Sequence, residues 1–152
     1  MQSGPETALV DALQLITRDL VTLALESVNA GGALGLTPMR LLFAVNDRPG
    51  GSCIELAGVL GTSASSITRQ ADRLVRSGHL LREPNPANRS MVMLRLTAQG
   101  RQAVDDVLAW RASVFERVGR AADLSDHEGL ARSLSALHAA LADEIAAGFG
   151  EK

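Results

Sequence analysis

The sequence has few of the residues on which cross-linked, metal-dependent or membrane-spanning proteins depend. Its single cysteine excludes a disulfide within the chain, and its three histidines, His79, His127 and His138, show no metal-ligand spacing. No apolar run approaches the roughly 18 residues that span a bilayer, and the start of the chain lacks the basic and apolar regions of a secretory signal. We therefore expect a soluble, cytoplasmic protein without a metal, a cofactor or a membrane partner.

Lysine is also scarce, and the charge of the chain is unevenly distributed. Fourteen arginines accompany one lysine, and the formal net charge is −2. Residues 36–101 hold nine of the arginines against four acidic residues, a formal +5, which leaves −7 for the rest. A basic middle between acidic ends favours contact with a polyanion, although a chance excess of a few charges is the alternative.

Catalytic patterns are missing as well. No nucleophile stands at a suggestive spacing from a base, and no glycine-rich loop suited to phosphate follows a strand. With 152 residues, the chain is long enough for one domain with a core. We expect a single unit that is not an enzyme.

Hydrophobic periodicity predicts helices through most of the chain. The first runs from Thr7 to about Val28. A second opens with Thr37 as its N-cap and Pro38 as its first residue, and a third opens with a capping box between Ser52 and Glu55.

A fourth helix is expected between Ser63, its N-cap, and Gly78, just past its end. Its apolar spacing points Ile67, Ala71, Leu74 and Val75 toward a core. The opposite face carries small polar residues in the first turn and then arginines, namely Ser65, Ser66, Arg69, Arg73 and Arg76. Such a face suits a helix end in a DNA groove, but a solvated charged face is an equal alternative.

Two β-prone runs around "PNPANR" then predict a hairpin with Arg89 at its tip. Two long helices follow. Thr97 is expected to cap the first, and a capping box from Ser125 to Glu128 to open the second, whose apolar stripe runs from Leu130 to Phe149.

The succession "SCIELAGVL", "TSASSITRQADRLVRSGHLLRE", "NPANRS" and "LRLTAQG" resembles the multiple-antibiotic-resistance regulator (MarR) family of winged helix-turn-helix transcription factors. The resemblance covers nearly the whole chain and is most specific from Leu36 to Gly100. It implies a mainly α fold with a small β-hairpin wing, in which residues 36–100 form the winged helix-turn-helix region. Residues 1–35 and 101–152 would form a helical dimerisation region. Their long apolar stripes favour the same homodimer independently, and the alternative is an intramolecular packing of three helices that would leave the first helix poorly covered.

The resemblance implies a double-stranded, pseudo-palindromic DNA partner, with the fourth helix in the major groove and the wing along the minor groove. The expected base-edge contacts are Ser65, Ser66, Thr68 and Arg69, the phosphate contacts are Arg73 and Arg76, and Arg89 enters the minor groove. The wing departs from the family pattern because Asn85 and Asn88 stand where acidic residues are usual. Arg89 should therefore be more mobile and the wing more positive.

Family members are commonly repressors released by small amphipathic or aromatic ligands. By analogy, the ligand residues would be Leu13, Thr17, Met39, Phe43, Val107 and Trp110, each of which reads equally well as a core residue. Some relatives sense peroxide through a cysteine of the first helix. Cys53 stands instead at the start of the third helix, where an inert packing role is favoured over a redox role.

The predicted function is therefore a sequence-specific, dimeric transcriptional repressor released by a small ligand. The alternative is a winged-helix scaffold that serves as a protein interaction module without specific DNA readout. The arginine series on the fourth helix favours the first.

Overall fold

The structure is a computed structural model that describes residues 4–32, 34–122 and 124–148. The described residues form six helices and one β-hairpin. In chain order these are α1 (Pro5–Gly31), α2 (Leu36–Asp47), α3 (Cys53–Leu60), α4 (Ala64–Arg76), β1 (Leu80–Asn85), β2 (Asn88–Leu96), α5 (Ala98–Ala121) and α6 (His127–Ala146). The predicted mainly α fold with a hairpin wing is confirmed.

Side-chain caps begin α3, α4 and α5 at the predicted residues. The Glu55 N–H donates to Ser52 Oγ (3.3 Å) and the Ser52 N–H donates to Glu55 Oε2 (2.7 Å), so the capping box is complete. Ser63 Oγ accepts from the Ser66 N–H at 3.2 Å, and Thr97 Oγ1 accepts from the Gly100 N–H at 3.0 Å.

Two predicted helix starts are wrong. Gly35, not Thr37, is the N-cap of α2, and no side chain caps it. Pro38 is consequently the third helical residue, where its missing N–H still costs nothing because the first four N–H groups of a helix lack intrahelical partners. The N-cap of α6 is Asp126, whose Oδ1 accepts from the Gly129 N–H at 2.8 Å, rather than Ser125. Phe149, the expected end of the α6 stripe, lies outside the described residues.

The hydrophobic core lies within the middle of the chain. Its fully buried large side chains come from α2, α3, α4, the hairpin and the first turns of α5. They are Met39, Leu41, Leu42, Val45, Leu56, Ile67, Leu74, Leu80, Leu94, Val104 and Val107. Burying a side chain of this size contributes about 1.5–3 kcal/mol, so this cluster is the main source of stability in the fold.

The hairpin is antiparallel and is joined to the chain segment before α3. Leu80 pairs with Leu96, and the register shifts between Pro84 and Asn85 at the turn. On the other side of β2, the Gly50 N–H donates to the Leu94 carbonyl and the Leu94 N–H donates to the Gly51 carbonyl, both at 3.1 Å. With the isolated bridge between Ser52 and Met93, this segment acts as a short third strand. The base of the wing is thereby fixed to the core.

The long terminal helices are poorly covered by the rest of the described chain. α1 packs along α5 but contributes only Ser27 and Val28 to the buried set, and α6 contributes no buried residue in its described part. The exposed large apolar side chains of these helices are Leu9, Val10, Leu15, Ile16, Leu20, Val21 and Leu25 on α1, Leu108, Phe115 and Val118 on α5, and Leu130, Leu134 and Leu141 on α6. An apolar surface of this extent marks an interaction site.

None of the described helices combines the length and the hydropathy that crossing a bilayer requires.

Candidate nucleic-acid interface

One face of α4 is apolar and buried, and the other carries small polar side chains followed by arginines. Ile67 and Ala71 are fully buried and Leu74 is 1% exposed, as the spacing predicted. Val75 is half-buried. The exposed residues of the opposite face are Ser65, Thr68, Arg69, Arg73 and Arg76. The helix can therefore approach a groove with little bulk in its first turn and with cations one and two turns later.

The hydroxyl groups at the start of α4 are not equally available. Thr68 Oγ1 donates to the Ala64 carbonyl at 2.9 Å, which leaves its lone pairs for an incoming donor. Ser65 Oγ lies 3.1 Å from Ser63 Oγ and is exposed. Ser66 is half-buried and accepts from Gln70 Nε2 at 3.3 Å, so it is the least accessible of the predicted base contacts.

The arginines of this face and of the wing are not paired with acidic side chains. Among the described residues, no carboxylate forms an ion pair with Arg69, Arg73, Arg76 or Arg89. Arg76 Nε donates to the carbonyl of Asp72 at 3.3 Å, one turn back in the same helix. These charges therefore remain available for an external anion.

The wing turn is formed by Pro86 and Ala87, and an asparagine stabilises it. Asn85 Oδ1 accepts from the Ala87 N–H at 2.8 Å, an Asx turn that needs a short polar side chain but no charge. Arg89 is exposed, but it is the second residue of β2 and not the tip itself, which corrects the predicted position.

Two ion pairs that sequence reasoning missed hold the hairpin in place. Arg82 Nη1 on β1 lies 2.6 Å from Asp72 Oδ1 on α4, and Arg95 Nε lies 2.5 Å from Glu83 Oε2 across the hairpin. The first joins the wing directly to the helix that carries the arginines. Both pairs are partly exposed, so each orients side chains more than it stabilises the fold.

The six predicted ligand residues do not line one common cavity. Leu13 and Thr17 line an open groove of 580 Å³ along α1, together with Val10, Gln14 and Arg18. Met39 borders a separate cavity of 280 Å³ near His79 and Gln99. Val107 is fully buried, and Phe43 and Trp110 are half-buried. A ligand role for these six residues stays a prediction.

Cys53 is half-buried at the first position of α3 and packs against the core cluster. The described residues hold no group of three or more histidine, cysteine and acidic side chains placed to bind a metal ion.

Sequence reasoning also missed Arg111. Its Nε–H on α5 donates to Ser27 Oγ on α1 at 2.9 Å, and its guanidinium carbon lies 5.0 Å from the centre of the Phe43 ring on α2. Burial lowers the pKa of this guanidinium below its ordinary value, because desolvation disfavours the charged form. No periodicity signals such a contact, since Ser27 and Arg111 are 84 residues apart.

Comparison with known proteins finds one matching family model and several solved structures with a similar fold. The model of the MarR family matches residues 34–90. No curated protein matches the chain. The fold is similar to that of RV1404 from Mycobacterium tuberculosis, with a TM-score of 0.78 and 26% identity over 91% of this chain and 95% of that one.

Two more distant structures share the fold. A MarR family protein from Bacillus stearothermophilus aligns with a TM-score of 0.74 and 19% identity, over 91% of this chain and 99% of that one. FabT from Streptococcus pneumoniae, solved in complex with DNA, aligns with a TM-score of 0.69 and 21% identity, over 90% and 96%. The predicted resemblance is confirmed. MarR-family proteins are transcription regulators, and the match to this family supports the prediction that the chain is not an enzyme.

Proposed function

With the MarR-family domain at residues 34–90 as the premise, we propose that the protein is a homodimeric regulator that binds double-stranded DNA sequence-specifically in the cytoplasm. The observation that carries the proposal is the exposed face of α4, where small polar side chains precede arginines that no described carboxylate neutralises. The DNA in the FabT complex supports the same partner class.

The proposed division of the chain follows from the distribution of burial. Residues 36–100 supply most of the core and would read DNA, with Ser65, Ser66, Thr68 and Arg69 at base edges and Arg73 and Arg76 at phosphates. Arg89 would enter the minor groove. Residues 1–35 and 101–152 would form the dimer, and a two-fold dimer reads half-sites about 34 Å apart.

We also propose that the dimer represses transcription and that a small amphipathic ligand releases it. The groove that contains Leu13 and Thr17 supports a site on α1, because it is open and largely apolar. We place the ligand against these two residues and not against Val107, whose side chain is fully enclosed by the core.

The test is fluorescence anisotropy of the purified protein on the DNA upstream of its own gene and on a scrambled duplex, at several salt concentrations. Preferential binding whose logarithm falls linearly with the logarithm of salt concentration is expected for specific readout with phosphate contacts. Equal and weak binding to both duplexes, followed by no enrichment in a genome-wide binding selection, would contradict the proposal and favour an interaction module.

A further inference from the structure

Arg111 is the single side chain that connects α1, α2 and α5 through polar contacts in the described structure. It projects from the middle of α5, donates from Nε to Ser27 Oγ of α1, and lies over the Phe43 ring of α2. A guanidinium within about 6 Å of a ring centre is attracted to the face of the ring. Three helices from both proposed regions of the chain therefore meet at one cation.

The hydrogen bonds at this junction have one consistent direction. Ser27 is 0% exposed, and its hydroxyl donates to the Ala24 carbonyl at 2.8 Å. The hydroxyl proton is therefore committed, and the oxygen accepts from Arg111 at 2.9 Å. Because donor and acceptor are both assigned, rotation of α5 against α1 would break a buried bond.

The junction is not an ion pair. Arg82, Arg95 and Arg132 form the ion pairs found among the described residues, and no carboxylate pairs with Arg111. An apolar side chain of similar length would fill the same space without desolvating a charge. An arginine adds what an apolar side chain lacks, namely a directed bond to α1 and a planar contact with α2.

We propose that Arg111 is a positioning residue that sets the angle between α2 and the α1–α5 pair, and thereby the distance between the two recognition helices of a dimer. The inference rests on the proposed function. α2 shares one core with α3 and α4, and Val104 and Val107 of α5 extend this core, so a change in how α2 packs on α5 carries α4 with it. In a two-fold dimer held by the terminal helices, that rotation changes the half-site spacing that the protein accepts.

The variants isolate each contact of the junction. Arg111→Met removes the charge and the donor, Arg111→Lys keeps the charge but removes the planar donor, Ser27→Ala removes the acceptor, and Phe43→Leu removes the ring. The matched control is Arg117→Met on the same helix, because Arg117 bonds only to Ser113 of its own helix among the described residues. Thermal melting first identifies the variants that fold. If Arg111→Met does not fold, Arg111→Lys takes its place in the measurements.

The first measurement needs no DNA. Ala12→Cys on α1 and Ala87→Cys on the wing, both at exposed positions, carry a dye pair in a Cys53→Ser background. Labelled chains are diluted into unlabelled protein so that single-molecule energy transfer reports one chain. We expect a shifted or broadened distance distribution for the Arg111 and Ser27 variants and an unchanged one for Arg117→Met. Identical distributions in folded variants would overturn the inference, whatever the protein does with DNA.

The second measurement compares operators with the selected half-site spacing and with one base pair inserted at the centre. For each protein we divide the dissociation constant for the inserted operator by that for the operator with the selected spacing. This ratio should fall by about fivefold or more in the Arg111 variants, the lower end of a typical coupling between sites. An unchanged ratio would overturn the inference while leaving the proposed function intact. Failure of the wild-type protein to prefer any operator would contradict the proposed function, and the distance distributions would still decide the role of Arg111.

Discussion

At the scale of single residues, Arg89 is the most direct test of the wing. It is exposed and pairs with no described carboxylate, while Asn85 holds the turn beside it without adding a negative charge. A narrow minor groove concentrates negative potential and attracts such a guanidinium. We expect Arg89→Ala to weaken operator binding by about 1–3 kcal/mol in an anisotropy titration.

The control for this prediction is Arg132→Ala on α6, an exposed arginine that lies 3.9 Å from the carboxylate of Glu128. Its removal should leave the affinity unchanged. If Arg89→Ala and Arg132→Ala behave alike, the wing takes no part in binding.

Glu55 gives a prediction about pH. The backbone N–H of Ser52 and then its hydroxyl stabilise the charged carboxylate and lower the pKa of Glu55 from its usual 4.5. A carboxyl whose pKa is lower in the folded state contributes stability above its unfolded pKa, and this contribution is lost as pH falls through the folded value. Wild type should therefore melt above Glu55→Gln at neutral pH, and the gap should shrink below about pH 4.5.

Differential scanning fluorimetry across this range measures the gap, with Glu116→Gln, an exposed change on α5, as the control. A gap that stays constant down to pH 3 would mean that the charge of Glu55 does not support the cap.

At the scale of elements, Gly100 fixes α5 against the start of the hairpin. A Cβ at this position would overlap the carbonyl oxygen of His79, and that carbonyl also accepts from the Thr97 N–H at 3.1 Å. Gly100→Ala must therefore push the α4–β1 connection away from α5. We expect a loss of about 1–3 kcal/mol in the free energy of unfolding, the usual range for overpacking.

Gly58→Ala in α3 is the matched change, because a Cβ there meets nothing within 4 Å. It should stabilise the protein by about 0.5–1 kcal/mol, since alanine suits a helix interior better than glycine. Urea unfolding of both variants decides the matter. If both variants change the free energy of unfolding equally, the chain near His79 can shift to make room for the added Cβ without losing stability.

The elements also show how far the sequence alone leads. Ser52, Ser63 and Thr97 were predictable as caps because a cap depends on residues within one turn. The start of α2 was misplaced because no side chain caps it at Gly35, so no local cap pattern marks that start. The start of α6 was misplaced for a different reason. Neighbouring residues compete for the cap, and Asp126 with Gly129 satisfies it as well as Ser125 with Glu128 would.

Contacts between distant segments could not be predicted. The buried face of α4 followed from its apolar spacing, but the pairing of Arg82 with Asp72 and of Arg111 with Ser27 depends on how helices and strands pack in three dimensions. The arginine face of the candidate site was therefore visible in the sequence, whereas the contacts that orient it were not.

At the scale of the whole molecule, charge and apolar surface are separated along the chain. The net positive charge lies within residues 36–101, and the terminal helices carry most of the exposed apolar side chains. Terminal helices that are both acidic and apolar make a suitable dimer surface for a DNA-binding protein. Contact between two copies covers the apolar stripes, and the negative charge does not attract DNA to the interface.

The proposed dimer gives the last prediction. Leu20 on α1 and Leu134 on α6 are 43% and 55% exposed within the subunit, so a charge at either is tolerated by the folded monomer. In a two-fold interface the same substitution places a carboxylate in an apolar contact twice. We expect Leu20→Glu and Leu134→Glu each to weaken the dimer by at least about 2 kcal/mol. Sedimentation velocity over a concentration series measures the change.

Ile54→Glu on α3 is the control, because Ile54 is 74% exposed and lies outside the terminal helices. It should sediment as wild type does. If all three variants remain dimeric, the terminal helices do not form the interface, and the exposed stripes of α1 and α6 bind some other partner. If the terminal variants become monomeric and also lose operator binding, stable binding needs both half-sites to be occupied at once. A dimer achieves this because binding at one half-site holds the second recognition helix at a high effective concentration near the other.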